Sequence, residues 1–169
     1  MIALRAFYKR RLMKNYSFIS NWRHLIIALA CAFSCACANI STIQSPTSEN
    51  KLANYKRAYI EALANDEWQL NQALLFELTD MGIEIVGIPF KHPTENDLLV
   101  KYSFDSGWDL TKYLKAFQFQ FIDALSGRIV ASTSYQSTGI WLGKRDGRLK
   151  SAINDLREKN GYPPTKQFE

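Results

Sequence analysis

The sequence predicts an α+β fold: a two-layer sandwich with a mixed sheet of about five strands and two helices on one face. Three observations predict it. FQFQF at 117–121 alternates strictly, which suits a strand with one aromatic and one polar face. Two separate stretches, 65–82 and 146–161, carry apolar residues at helical spacing. Short apolar and β-branched runs fill the intervals.

The elements follow in order. NYKRAYIEAL, 54–63, alternates Tyr55, Arg57, Tyr59 and Glu61 with Lys56, Ala58, Ile60 and Ala62, a pattern that alone does not separate strand from helix. Residues 65–82 read as a helix. Leu70, Ala73, Leu74, Leu75, Leu78 and Met81 form its stripe, Asp66 with Gln69 reads as a capping box, and Gly82 stops it. IEIVGI at 83–88 reads as a buried strand and KHPTEND at 91–97 as a loop. Strands are expected at 98–104, 113–123 and 128–136, with Asp105, Gly107 and Asp109 in the turn between the first two.

ALSG at 124–127 suits a type I turn with a left-handed Gly127. That turn pairs Ala124 with Arg128. It sets Phe121 against Ala131, Phe119 against Thr133 and Phe117 against Tyr135. The opposite face then pairs Ile122 with Val130, Gln120 with Ser132 and Gln118 with Ser134. The last helix, 146–161, buries Leu149, Ala152, Ile153 and Leu156. Asp146 is placed to cap it, and Gly161 with Pro163 and Pro164 to end it.

Ahead of the domain stands a leader. Residues 1–24 hold six basic residues and no acid, whereas the chain from Ala38 onward holds 15 basic and 16 acidic residues. The net charge of +5 therefore belongs to the leader, and nucleic acid is not an expected partner. The apolar run Leu25–Phe33 follows, then small residues, which is the order of a secretory signal. Counted to Ala38 the run has 14 residues, short of the roughly 20 that a spanning helix needs. Met13 offers a second start.

All three cysteines, Cys31, Cys35 and Cys37, lie at the end of this leader. Three exits are open: cleavage after Ala36-Cys37-Ala38, lipoprotein processing before a cysteine, or an uncleaved anchor. SCAC-ANIS resembles a lipobox with Ala36 before Cys37, although Ser34 stands where such boxes usually carry Leu. Cys37 is the expected lipidation site, since the apolar core is then complete. The division is 1–37 signal peptide, 38–50 flexible tether and 51–169 a single domain.

The order YIE, amphipathic helix, MGIEIVG, DLLVKYSF, WDLTKYLKAFQFQFIDALSGRIVAS and a last helix with NDLR is similar to a group of uncharacterised small lipoproteins of Gram-negative bacteria. The resemblance covers about 54–160, and WDLTKYL with IDALSGRIVAS carries most of it. It implies a β-α-β start, with 54–62 as a strand. It supplies no catalytic motif. Ala38 at the second mature position, in place of the aspartate that resembles an inner-membrane retention signal, implies the outer membrane facing the periplasm.

Candidate chemistry is sparse. His92 is the only histidine after the leader, so neither zinc nor a Ser-His-Asp arrangement is expected, and no cofactor is implied. Asp105, Asp109 and Asp123 are candidates for a carboxylate pair, and GKRDGR at 143–148 for a phosphate contact. Trp108, Tyr113 and Tyr102 could line a ligand groove. Gln118, Gln120, Ser132 and Ser134 form the broad polar face open to an envelope partner. The expected function is a non-enzymatic, lipid-anchored binding or accessory module. The alternative is a soluble periplasmic ligand binder or enzyme.

Overall fold

The structure, a computed structural model, describes residues 38–44, 51–137 and 145–167. The signal peptide, Cys37, the segment 45–50 and the first two residues of GKRDGR lie outside the described residues. The fold is mixed α+β: one open six-stranded sheet with two helices. In chain order the elements are β1 (Ala38–Gln44), a 3-10 turn (Leu52–Asn54), β2 (Arg57–Ile60), α1 (Leu70–Asp80) and β3 (Glu84–Val86). Then come β4 (Asp97–Asp109), β5 (Thr111–Asp123), β6 (Ile129–Ser137) and α2 (Arg145–Lys159). The sheet order is β1-β6-β5-β4-β2-β3. β2 is parallel to β3 and β4, and the other pairs are antiparallel.

The aromatic alternation builds the core. Phe117, Phe119 and Phe121 are buried with Leu98, Val100, Tyr102, Ala131 and Tyr135. The same cluster takes in Leu70, Ala73, Leu74 and Leu78 of α1 and Leu149, Ala152, Ile153 and Leu156 of α2. Both described helices therefore pack against the same set of alternate strand residues. The expected register holds for Phe121–Ala131, Phe119–Thr133 and Phe117–Tyr135. Beyond Phe121 it shifts. Ile122 pairs with Ile129 rather than Val130, because a bulge makes Val130 the extra residue and buries it. Gly127 is left-handed, at φ +70°.

Residues 38–44, expected as part of a flexible tether, instead form β1 and pair with β6 from Ala38–Ser137 to Gln44–Ala131. The physical reason is the edge. Without β1, β6 would present a row of unpaired backbone groups beside the core. Thr42 seals the join, its hydroxyl donating to the Thr133 hydroxyl at 2.9 Å.

Helix α1 starts at Leu70 rather than 65. Gln69 adopts the left-handed region at φ 55°, so the capping box does not form. Asp66 caps from further upstream, accepting from the Leu70 and Asn71 N–H groups at 3.0 and 2.7 Å. Gly82 at φ +82° ends the helix, and Ile83 N–H reaches back to the Leu78 carbonyl at 2.9 Å. Leu75 stands outside the stripe and is exposed. Asp146 lies within the first turn of α2 rather than before it. Strand β4 does not turn at Gly107. It runs on to Asp109, and Leu110 makes the reversal. A buried clasp joins the helices: Arg157 meets Glu77 and Asp80, each at 2.7 Å, and donates to the Pro163 carbonyl.

Candidate partner surface

The β5–β6 ladder places Gln118 opposite Ser134 and Gln120 opposite Ser132, on the side away from the phenylalanines. The four residues therefore share one face. Gln118, Gln120 and Ser134 are half-buried, and Ser132 is buried. Two of the polar groups are already engaged: Gln118 Nε2 donates to Ser132 Oγ and Ser134 Oγ to the Ser41 carbonyl, both at 3.3 Å. Strand β1 widens this face, since Asn39, Ser41 and Ile43 pair with Gln136, Ser134 and Ser132. That extension escaped the sequence reading.

Two hollows flank the polar strip. One, of about 350 Å³, is lined by Ser103, Asp105, Gln118, Ser134 and Gln136 among others. The other, of about 430 Å³, lies between Tyr59, Leu99 and Ala124 and the loop residues Pro89, Phe90 and Pro93. Its wall is clamped. Arg57 donates through Nε and Nη2 to the two Asp97 carboxylate oxygens at 2.8 Å each, and the Thr94 N–H donates to Oδ2 at 2.8 Å. The Arg57 guanidinium also lies 5.5 Å from the centre of the Phe90 ring. Burial opposes the Asp97 charge, but the Thr94 and Arg57 hydrogen bonds outweigh it and hold the carboxyl below its ordinary range. The acid on this rim, Glu61, pairs with Lys101 at 3.0 Å. An aromatic cleft whose one rim carboxylate is paired with a lysine suits a bound apolar group.

The other candidates scatter. His92 is exposed in its loop. Asp105 pairs with Lys115 at 3.4 Å. Asp123 accepts from the Tyr55 hydroxyl at 2.8 Å and from the Leu125 and Ser126 N–H groups, so it ties the hairpin turn to β2's approach. Although Asp123 is partly desolvated, these bonds keep its carboxyl below the usual range, while burial and Asp123 itself push the Tyr55 phenol up. Asp123 pairs with Leu98, and Asp105 lies seven residues further along β4, so the two are on the order of 23 Å apart. The expected shared turn for Asp105 and Asp109 is absent, because β4 carries both as strand residues.

Tyr102 is buried in the core, Trp108 sits near the tip of the β4–β5 hairpin, and Tyr113 packs over Gly107; they line no common groove. Arg145 donates to the Trp68 carbonyl at 2.8 Å and Arg148 to the Leu114 carbonyl, so both serve packing. Among the described residues, no group of three His, Cys, Asp or Glu side chains is placed to hold a metal ion.

Fold and surface together define an α+β protein with an open mixed sheet, one polar face and a short aromatic cleft. No protein-family model matches the chain, and no curated protein matches it in sequence. In structure it is similar to the PelC dodecamer from Paraburkholderia phytofirmans, at TM-score 0.49 and 10% identity, over 75% of this chain and 99% of that one. A PDZ domain protein from Parabacteroides distasonis aligns at 0.43 with 14% identity, over 78% of this chain and 37% of that one. A minor lipoprotein from Acinetobacter baumannii aligns at 0.32 with 17% identity, over 62% and 88%. These scores and identities are too low for any of the likenesses to carry an argument about partner or activity. Among the described residues, no helix is long and apolar enough to cross a membrane.

Proposed function

We propose that the protein is a lipid-anchored cell-envelope protein, held at the periplasmic face of the outer membrane by an acylated Cys37, whose α+β domain is a non-enzymatic binding or accessory module. The observation that carries this reading is the leader: six basic residues without an acid, a short apolar run, small residues, and cysteines confined to its end. Ala38 in the second mature position supports the outer membrane over the inner. The domain adds a broad polar face and a clamped aromatic cleft, both suited to holding another molecule. The partner class this favours is another envelope protein laid across the face of β5, β6 and β1.

A second reading, a soluble periplasmic ligand binder, is favoured by the cleft alone, because Tyr59, Phe90, Pro89 and Pro93 could enclose a small apolar group. Cell fractionation separates the two. Wild-type protein is expected with the outer membrane and Cys37→Ser protein in the soluble or precursor fraction. Wild type recovered wholly soluble would reject the anchor and leave the second reading.

A further inference from the structure

One apolar feature of the described chain is built rather than incidental: the tip of the β4–β5 hairpin. Trp108 is 77% exposed there and Leu110 is 92% exposed. Leu110 also holds φ +59°, a left-handed conformation that a non-glycine residue adopts at an energetic cost. The left-handed backbone closes the hairpin, but a leucine at that position, where Gly or Asn takes the same conformation at less cost and exposes no apolar surface, gains nothing for an isolated domain.

The stem beneath the tip is braced. Trp68 Nε1 donates to Ser106 Oγ at 2.9 Å, and Ser106 Oγ donates to Glu67 at 2.6 Å. The Lys112 ammonium, one pair below the tip, meets the same Glu67 carboxylate. Tyr113 lies so close over Gly107 that a Cβ there would come within 2.4 Å of its ring. The hairpin is therefore held out as a fixed projection.

The register decides which end of the sheet it leaves from. The last β5–β6 pair on this side is Ala116–Gln136, and β1 begins beside it, with Ala38 opposite Ser137. Leu110 lies six residues beyond Ala116, on the order of 20 Å along the strand. Thirty-seven residues precede Ala38, and the residue bonded to it is Cys37. The Cα of Cys37 is one step, about 3.8 Å, from the Cα at that strand end, so a lipid on this residue is attached no more than a side chain's length from it. A hairpin reaching past the anchoring point must either enter the bilayer or lie along it.

We infer that the tip of this hairpin is a second membrane contact, with Trp108 and Leu110 entering the headgroup boundary of the bilayer that holds the lipid. The inference rests on the anchor proposed at Cys37. The chemistry fits, because the amphipathic indole of Trp is suited to the membrane interface and Leu to the acyl boundary beneath it. The acyl chains hold the protein and the tip fixes its tilt, which sets the direction in which the polar face looks.

The test uses the full chain, purified from membranes and reconstituted into phosphatidylethanolamine–phosphatidylglycerol vesicles containing brominated lipid. The emission assigned to Trp108 is the difference between wild type and Trp108→Phe. It is expected to be quenched at least about twofold by brominated lipid, at shallow depth. Leu110→Gly keeps the left-handed turn, and it is expected to reduce that quenching while leaving the circular dichroism unchanged. The N-terminal mass of the same sample reports the anchor separately. Unquenched Trp108 in lipidated protein overturns the inference and leaves the anchor standing. If the N-terminus carries no lipid, the anchor fails, and quenching of Trp108 by added vesicles still decides the tip: present it supports the contact, absent it overturns it. Trp108 shielded without vesicles, in a manner lost on dilution, assigns the tip to a second copy of the chain and also overturns it.

Discussion

Arg157→Ala is expected to cost this domain much of its stability. The side chain is 1% exposed and lies between the two helices. Its Nη1 pairs with Glu77, which is itself buried; its Nη2 pairs with the partly exposed Asp80; its Nε donates to the Pro163 carbonyl. Truncation leaves water to reach Asp80, but Glu77 keeps only the Thr165 hydroxyl as a described partner. Leaving one member of a buried ion pair uncompensated costs about 3 to 5 kcal/mol. A domain of this kind has about 5 to 15 kcal/mol in total. With a urea slope near 2 kcal/mol per molar, the midpoint falls by roughly 2 M. The assay is urea denaturation followed by circular dichroism, on Arg157→Ala and on the double variant Arg157→Met, Glu77→Leu. The double variant removes both charges and fills the space, so it is expected to recover most of the loss. A loss below about 1 kcal/mol for Arg157→Ala, or a double variant no better than the single, would refute the reasoning.

Three other outcomes follow from the same geometry. Phe119 is 0% exposed, so Phe119→Ala is expected to cost about 3 to 5 kcal/mol in denaturation, while Gln118→Ala on the opposite face stays within roughly 0.5 kcal/mol; a reversed ranking contradicts the core placement. The Asp97 carboxyl lies below its unfolded value, so its contribution is present above the ordinary aspartate range and is lost as pH falls through its lower folded value. Acid titration of stability is therefore expected to be shallower below about pH 4 in Asp97→Asn, measured by thermal melts against pH; parallel curves would contradict the Arg57 and Thr94 clamp. His92→Ala, at an exposed loop position, is expected to leave both folding and cellular function unchanged. Loss of function at normal abundance would reopen the enzyme reading.

The β5–β6 hairpin was legible in the sequence because FQFQF fixes the faces and ALSG marks the turn; the turn itself closes on Asp123 and Arg128 rather than on Ala124 and Arg128, and the bulge at Val130 restores the expected pairing from Phe121–Ala131 onward. The bulge at Val130 was not legible, since Ile129, Val130 and Ala131 form a continuous apolar run with no alternation for a bulge to interrupt. ANISTIQ reads as polar spacer because an edge strand needs few apolar residues; what makes it a strand is the otherwise open edge of β6, which lies about 90 residues away in sequence. Asp105, Gly107 and Asp109 carry turn chemistry, yet Tyr113 folds over the glycine and the ladder continues to Leu110. The polar face of Gln118, Gln120, Ser132 and Ser134 was legible as a face. The aromatic cleft beside it was not, because its wall depends on Arg57 reaching Asp97 across forty residues. The Arg157 clasp was hidden for the same reason, with eighty residues between its partners.

The most direct measurement is the mass of the intact N-terminus of the wild-type protein, purified from the membranes of a Gram-negative host, beside that of the Cys37→Ser variant. The expected wild-type species begins at Cys37 and carries acyl mass on it, and the variant carries none. A wild-type chain beginning at Asn39 without lipid, or a variant processed and lipidated like wild type, would contradict anchoring through Cys37.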